Sequence, residues 1–476
     1  MTIKISKQLA TMQDLAIGSG QVVQRRNGVD LTLDKIDFVP KSEVVICVTS
    51  IAAMEASPSV IGAAIQTLGY VSAGDGAGNT YRVVAGGTGT NDGINFIDLE
   101  NGLQARLVPS ETTTFLIPTD FPDIQSVIDL YTGTDSKTKR YVDIFIEAGH
   151  QLTKGAEFKD GDFKNFSISS ADAIVTLSAS FVGVEVSDVF TENSLFLADR
   201  ATAPALNCLV DMEDLYGCGL VIYDQSIGMV RGDCGVINAG AFGLYVLKQS
   251  SVSATQCNFS GAGWGNRVTT NSLLQAPTSN WSGSKNANYL VVNTTANMDV
   301  SRGSFVYVTG SVGNESNLTN SAGRGLAVRR SYCSATSVDC SGAGLEGLNA
   351  ALGATVAFTA SFADDCGMGI FAAGANVDAS RSSNSAKDCT DFNVFSNNGG
   401  KISLRGGTFT GAGINGIRAD NGSTIVATSC DCRKSAGVDN SLDIVVTKGS
   451  IIHAVDAVGG TYITPLTLTS DGLIFK

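Results

Sequence analysis

The clearest pattern in the sequence is an apolar segment that recurs at nearly constant spacing after residue 240. In each of seven copies an aliphatic residue follows a small or polar one: Leu244, Leu326, Leu348, Ile370, Val394, Ile417 and Ile444. From Leu326 onward the spacings are 22, 22, 24, 23 and 27 residues. Five copies have a second aliphatic eight residues later, at Val252, Val356, Ile402, Ile425 and Ile452. Ser334 breaks this rule, and Val377 follows Ile370 at seven residues.

A period of this length is typical of a solenoid or a propeller. The β-branched residues, the glycines and the two-residue alternation exclude helical repeats, and propeller blades of about 40 to 45 residues exceed this spacing. Ordering a coil of about 22 residues costs on the order of 30 kcal/mol, which half a dozen buried side chains at roughly 2 kcal/mol each do not offset. We therefore predict an all-β, right-handed parallel β-helix in which the aliphatic residues stack coil upon coil.

The chain before the repeats contains a predicted cap. Pro122 and Asp123 begin a helix, and a strand-like segment covers residues 141–149. The apolar residues of this helix share one face: Ile124, Val127, Ile128 and Tyr131. The predicted organisation is a polar N-terminal segment over 1–42, a small β adaptor domain over 43–109, the β-helix with its capping helix over 110–465, and a C-terminal strand over 466–476.

Composition agrees with this fold class. The chain has 54 glycines but only 8 prolines, and no proline occurs between residues 278 and 464. Glycine supplies the positive φ angles that tight turns need, and central strands exclude proline because it lacks an N–H. Charged residues are only 16% of the chain, which argues against a coiled coil and against a solvated tail.

Charge and cysteine usage exclude several functions. A net charge of −13 makes a nucleic-acid partner improbable. No apolar run reaches the roughly 18 residues of a membrane span, so we expect no membrane insertion and a soluble chain that begins where the sequence begins. The 11 cysteines form no Cys-x-x-Cys pair, and their scatter indicates buried free thiols rather than a zinc site or a disulfide framework. We expect neither a metal nor another cofactor.

Three further segments complete the pattern: the loop Gly74-Asp75-Gly76, the strand-like residues 142–149 after the predicted helix, and the last residues, 468–476. With the repeats, they resemble bacteriophage tailspikes and tail fibres, whose bodies are pectate-lyase-like parallel β-helices. In that family the strand usually ends in Pro-Ala-Gly, so Glu147 departs from the pattern.

The resemblance implies a homotrimer that is made in the host cytoplasm and becomes part of the virion tail. It also implies that residues 1–42 attach the chain to other tail proteins, and that the body binds host surface polysaccharide and often cleaves it. A receptor-binding or structural tail fibre without enzymatic activity is the alternative.

Hydrolysis of a glycosidic bond needs two carboxyl groups, one as acid and one as nucleophile or base. Asp365 and Asp388 each precede a cysteine, as Asp339 and Asp431 do, and Asp364 adds a neighbouring charge. Since coils stack at about 4.8 Å, aligned Asp365 and Asp388 would be near 5 Å apart, and Asp388 and Asp431 nearer 10 Å.

We therefore assign the catalytic role to a pair among Asp364, Asp365 and Asp388. The competing interpretation is that these aspartates mark polar turns that face solvent. An endoglycosidase is favoured over a lyase, for which Lys387 would be the candidate base.

The repeat is interrupted between residues 264 and 320, where both tryptophans, Trp264 and Trp281, lie among Asn, Ser and Thr. Aromatic rings stack on sugars, so this stretch is the predicted glycan contact, and Asp339 is assigned to substrate binding with it. The alternative is that one or both rings cover the core or a subunit interface.

Overall fold

The computed structural model describes most of the chain as strands. The described residues are 16–18, 21–26, 29–33, 45–69, 72, 80–88, 91, 96–107, 113–129, 141–186, 194–285, 296–309, 316–433, 443–458 and 472–475. In these ranges the helices are Ile51–Glu55 and Ile124–Asp129. The chain divides into two compact units, residues 1–110 and 111–476.

The N-terminal unit contains two small sheets. Three antiparallel strands form the first: Ala16–Gly18, Gln21–Arg26 and Val29–Leu33. The second has five strands in the order Val45–Val48, Ala64–Thr67, Thr80–Val84, Gln104–Leu107 and Phe96–Asp98. The five-stranded sheet packs Ile65, Tyr81 and Ile97 with the helix residue Met54 into a separate core.

The second unit is a parallel β-helix, as the spacing of the aliphatic residues predicts. Its twelve-stranded wall runs through Ala156–Lys159, Ser194–Asp199, Cys218–Tyr223, Phe242–Val246, Gly265–Val268, Ala296–Ser301, Arg324–Arg329, Glu346–Ala351, Met368–Ala373, Phe392–Asn397, Asn415–Ala419 and Ile444–Val446.

The opposing fifteen-stranded wall runs through Thr113–Ile117, Val142–Ile146, Phe166–Ser170, Thr202–Asn207, Ile227–Arg231, Ser251–Thr255, Leu273–Pro277, Phe305–Thr309, Tyr332–Thr336, Thr355–Thr359, Asn376–Ala379, Lys401–Arg405, Thr424–Thr428, Ser450–His453 and Gly472–Phe475. The third wall is discontinuous. It contains Leu152–Lys154, Val175–Val182, Leu209–Asp211 and Gly235–Ile237, then Ser316–Asn317 and Val338–Asp339, and continues as single parallel bridges.

The predicted aliphatic column is present. Leu326 pairs in register with Leu348, and the same line continues through Ile370, Val394, Ile417 and Ile444, all of them 0% exposed. Parallel pairing gives each coil hydrogen-bonding partners above and below, and it places like side chains in contact. The fold class is therefore confirmed.

The second column explains the irregular copy. Val306 pairs with Cys333, and Cys333 pairs with Val356, so the interior position belongs to Cys333 and not to its neighbour Ser334. Cys333 is fully buried, where a thiol behaves as a small hydrophobe. Val377 takes its place in the same column, in register with Ile402.

In five of the seven copies a glycine precedes the aliphatic residue, and neighbouring atoms leave no room there for a Cβ. A Cβ at Gly347 would lie 2.6 Å from the Cβ of Ala363, and one at Gly369 would lie 2.4 Å from the Cβ of Ala386. Real Cβ atoms do not approach so closely, because protein interiors are already densely packed. The repeated Gly-aliphatic pair therefore records the narrow cross-section of the coil.

The gap between Leu244 and Leu326 holds two further coils. Tyr245 pairs with Arg267, which places Asn266 next to Leu244, and the column then continues through Met298. The Asn266 side chain accepts a hydrogen bond from Leu244 N at 2.8 Å and donates one to Phe259 O at 3.1 Å. A polar residue thus occupies an interior position with its hydrogen bonds made.

The capping helix begins at Ile124, where the Asp123 carboxylate accepts a hydrogen bond from Ser126 N at 2.7 Å. Ile124, Val127 and Ile128 are fully buried, whereas Tyr131 lies outside the described residues. No helix in the described part of the chain is both long and apolar enough to cross a membrane.

The eleven cysteines are free thiols, and nine of them are buried. Burial raises the pKa of several thiols to about 12: Cys208, Cys257, Cys333, Cys366 and Cys389. Because the thiolate is the reactive species, these groups are shielded both from reagents and from ionisation.

We therefore expect that a thiol reagent such as dithionitrobenzoate labels native protein at neutral pH rapidly at Cys47, which is exposed. Cys234, which is half-buried and has a raised pKa caused by desolvation, should react more slowly. All eleven thiols should react after unfolding in denaturant. Rapid labelling of more than two thiols in the folded protein would contradict the burial described here.

Candidate functional site

The three catalytic candidates lie at the turns next to the third wall. Phe362 and Ser385 pair across adjacent coils, so Asp365 and Asp388, three residues after each, occupy equivalent positions. Asp339 pairs with Phe362 itself, which places it at a different point of the coil. Asp431 likewise occupies the position of Thr408 and not that of Asp388. The structure thus aligns Asp365 with Asp388 and leaves Asp339 and Asp431 out of that line.

Asp365 and Asp388, and the residues at the same position of the flanking coils, adopt the left-handed backbone conformation of a turn. Their φ angles are 54° and 52°, and Gly342 and Gly411 at the equivalent positions of the flanking coils have φ angles of 70° and 82°. Glycine, asparagine and aspartate are the residues that tolerate this region. Turn geometry alone therefore accounts for aspartate at both positions, and both side chains are exposed.

Asp364 lies in a different environment from its neighbours. Its carboxylate accepts hydrogen bonds from the Ser385 hydroxyl and from Lys387 N, both at 2.8 Å, and the Lys387 ammonium lies 3.9 Å away. Burial nevertheless raises the pKa of Asp364, and the adjacent Asp365 charge acts in the same direction. A half-buried carboxyl with a raised pKa beside two exposed aspartates provides the two kinds of group that acid and base roles require.

Asp339 belongs to a ladder of turns. Its carboxylate accepts a hydrogen bond from Ser341 N at 3.0 Å, as Asn317 Oδ1 does from Thr319 N on the preceding coil. Asn280 repeats this arrangement one coil earlier, with Ser282 N as the donor. These side chains shape the turn locally, which is the usual role of Asn and Asp at such positions.

The two tryptophans lie in different surroundings. Trp281 is 0% exposed and stacks on Phe259, with ring centroids 5.1 Å apart and an interplanar angle of 11°. This is the core-covering alternative, so Trp281 is left out of any sugar contact. Trp264 is half-buried outside the coil, edge-on to Phe242 at 5.3 Å and to Tyr216 at 6.1 Å.

The sequence pattern did not single out a surface group of three aromatic residues, two exposed and one half-buried. Phe305 and Tyr307 are 50% and 40% exposed on the outer face of the fifteen-stranded wall, and Tyr332 lies beside both, with centroid distances of 6.3 and 6.1 Å. We call these three residues the aromatic platform. The sequence signal for this group is alternation: Phe305 and Tyr307 alternate with the buried Val306 and Val308, so both rings lie on the outer face of the strand.

In the described ranges no group of three or more histidine, cysteine, aspartate or glutamate side chains is arranged to hold a metal ion.

No family model matches the chain, and no curated protein matches it in sequence. The solved structures that it resembles include the gp42 tailspike of Acinetobacter phage vb_AbaP_AS12, at 12% identity and a TM-score of 0.35, covering 90% of this chain and 73% of that one. Tailspike protein 2 of the Escherichia coli O157:H7 bacteriophage CAB120 has 12% identity and a TM-score of 0.33, covering 96% and 60%.

A third similar structure is the gp49 tailspike of Acinetobacter baumannii bacteriophage Fri1, described as a capsular polysaccharide depolymerase, at 13% identity and a TM-score of 0.23, covering 90% of this chain and 75% of that one. Such low identity and superposition leave substrate and chemistry open. The class of protein that the coordinates define is the parallel β-helix.

Proposed function

We propose that this chain is the β-helical body of a phage tailspike or tail fibre that binds polysaccharide on the host surface. Three copies associate, and residues 1–42 attach the trimer to other proteins of the virion tail. The proposal is supported by the sequence motifs quoted above and by the aromatic platform, since exposed rings on a rigid wall suit stacking against sugars.

The chemical step that we propose is hydrolysis of a glycosidic bond. The observation that carries it is the environment of Asp364, whose pKa is raised mainly by burial, so its carboxyl stays protonated further towards neutral pH. In this scheme Asp364 donates a proton to the leaving oxygen. Asp365 or Asp388, both exposed, acts either as the nucleophile on C1 or as the base that takes a proton from the attacking water, while the bond from C1 to the leaving oxygen breaks. An adhesin without activity is the second candidate, favoured by the left-handed turn geometry that already explains Asp365 and Asp388.

The test is incubation of the purified protein with host capsule or lipopolysaccharide, followed by assay of new reducing ends and of unsaturated sugars. We expect reducing ends without unsaturated sugar, and a loss of at least about 100-fold in rate for Asp364→Asn. The rate should also fall as the pH rises through the raised pKa of Asp364, because the acid form is lost.

Asp378→Asn is the matched control, since Asp378 is exposed on the fifteen-stranded wall and asparagine keeps its contact with Ser380 N. Unsaturated sugar would identify a lyase. Binding of the polysaccharide without either product would support the adhesin without enzymatic activity. Reducing ends that persist in Asp364→Asn, Asp365→Asn and Asp388→Asn would show that other residues carry the chemistry.

A further inference from the structure

Four arginine side chains converge on one cavity where the twelve-stranded wall turns towards the fifteen-stranded wall. The cavity has a volume of about 250 Å³. We call it the arginine groove, and its lining residues are Arg267, Ser301, Arg302, Arg329, Arg330 and Leu352. Ser301 pairs with Arg329, so the turn residues Arg302 and Arg330 that follow them lie on adjacent coils.

A buried carboxylate holds two of the guanidinium groups in place. Asp299 is only 1% exposed, with Oδ1 2.9 Å from Arg329 Nη2 and Oδ2 3.3 Å from Arg267 Nε. The contact with Asp299 uses only Nε of Arg267, so both Nη groups of Arg267 remain for other contacts. Asp299 therefore orients donors towards the groove without using all of them.

The other two arginines, Arg302 and Arg330, add positive charge to the groove. Across the described ranges, Arg302 and Arg330 make no ion pair with a carboxylate, and both are exposed. Among the residues that the structure describes, four guanidinium groups of the groove thus face one carboxylate, that of Asp299. The chain as a whole carries −13, but charges beyond about 10 Å are screened at 0.1 M salt, so an anion in the groove interacts mainly with the arginines.

The arginine groove lies beside the aromatic platform along the chain. Arg302 precedes Phe305 by three residues, Arg330 precedes Tyr332 by two, and Phe305 pairs with Tyr332. At about 3.3 Å per residue, each arginine is within roughly 10 Å of a platform residue along the backbone. A sugar stacked on the platform therefore has a neighbouring position with a strong preference for anions.

We propose that the arginine groove binds the carboxylate of an acidic sugar residue, so that the polysaccharide recognised by this protein is a carboxylated one. The planar fork of a guanidinium group matches a carboxylate with two parallel hydrogen bonds. Asp299 shows that these groups accept a carboxylate, since it takes one hydrogen bond from Arg329 Nη2 and lies 3.3 Å from Arg267 Nε. A volume of about 250 Å³ is below that of a typical drug-sized site, and it suits one sugar residue of a longer chain. This inference rests on the proposed function, because it names the substrate class of the polysaccharide.

Calorimetric titration of the full chain tests the inference with three carboxylated probes: oligogalacturonate, hyaluronan oligosaccharides and oligosialate. Each probe is paired with the same oligosaccharide after reduction of its carboxyl groups to alcohols. We expect at least one acidic probe to bind tenfold or more tightly than its reduced counterpart. The double variant Arg302→Gln/Arg330→Gln should lose that preference.

The matched control is Arg381→Gln/Arg405→Gln, which removes the same charge from exposed positions outside the groove. An equal loss of affinity in the control would show a general charge effect and overturn the inference. So would equal binding of acidic and reduced probes, binding to neither, or binding of dextran sulfate as tight as that of the best carboxylated probe.

The polysaccharide-binding function has a separate readout. If Phe305→Ala weakens binding of host polysaccharide while Arg302→Gln/Arg330→Gln does not, the binding function stands and the carboxylate assignment falls. If the wild-type protein fails to bind host polysaccharide but prefers acidic over reduced probes, the groove stands and the proposed function falls.

Discussion

Replacing Trp281 with alanine is expected to lower the free energy of unfolding by about 3 to 5 kcal/mol, because it removes the largest fully buried side chain of the β-helix. The indole stacks on Phe259 inside the coil, and the rigid walls around it have little freedom to collapse into the space that it leaves. Guanidinium unfolding followed by far-ultraviolet circular dichroism measures the change.

Two further variants test whether the loss of stability comes from the lost side-chain volume, from hydrogen bonding or from the position of the tryptophan in the coil. Trp281→Phe should be milder, because Trp281 Nε1 is buried without a hydrogen-bond partner and phenylalanine removes that group while keeping a ring. Trp264→Ala should also be milder, since Trp264 is half-buried outside the coil. As the chain has 2 tryptophans, each alanine variant leaves one fluorophore, and Trp281 should emit at the shorter wavelength. A loss for Trp264→Ala as large as that for Trp281→Ala would contradict this assignment.

The body of the fold could be predicted from the sequence because stacking imposes one chemical demand on every coil. Leu348 must suit Leu326 on one side and Ile370 on the other, so the same residue type recurs and the period becomes visible. Glycine precedes five of the seven aliphatic residues for the same reason, since neighbouring atoms leave no room for a Cβ.

The apolar pattern of the sequence does not show the two coils between Leu244 and Leu326, because Asn266 takes the place of an aliphatic residue. A search for apolar periodicity cannot recognise an interior asparagine that succeeds because the backbone of Leu244 and Phe259 satisfies it. The apparent break at Ser334 has another origin, since the interior position is Cys333, one residue earlier. Counting positions from the first aliphatic misses such a shift in turn length.

One candidate site has a local signal in the sequence and the other does not. In each Asp-Cys pair the two residues are adjacent in the sequence, and this repeated pair indicates the turn where Asp365 and Asp388 align. The arginine groove left no local signal, because Arg302 and Arg330 are 28 residues apart and Arg267 lies a further coil away. Only the register of stacked coils brings them to one cavity, and that register depends on the length of every intervening turn.

Removing one partner of the buried Arg324–Glu346 ion pair is the second large expected effect. Both residues are nearly inaccessible, at 9% and 6% exposed, and Arg324 Nε lies 2.7 Å from Glu346 Oε2 on the adjacent coil. Glu346→Ala removes the carboxylate that lies against the buried guanidinium group of Arg324, so we expect a loss of about 3 to 5 kcal/mol in the free energy of unfolding. Unfolding in guanidinium chloride measures this free energy, and a retained β-sheet circular dichroism signal shows that the variant folds.

The double variant Arg324→Met/Glu346→Met distinguishes a charge effect from a packing effect. Methionines fill similar volume without charge, so the double variant should be clearly more stable than Glu346→Ala. Lys164→Ala is the matched control, because the Lys164–Asp162 pair has the same 2.7 Å separation at exposed positions and should contribute at most about 1 kcal/mol. A double variant no more stable than Glu346→Ala would mean that the loss in Glu346→Ala does not come from removing the carboxylate beside Arg324.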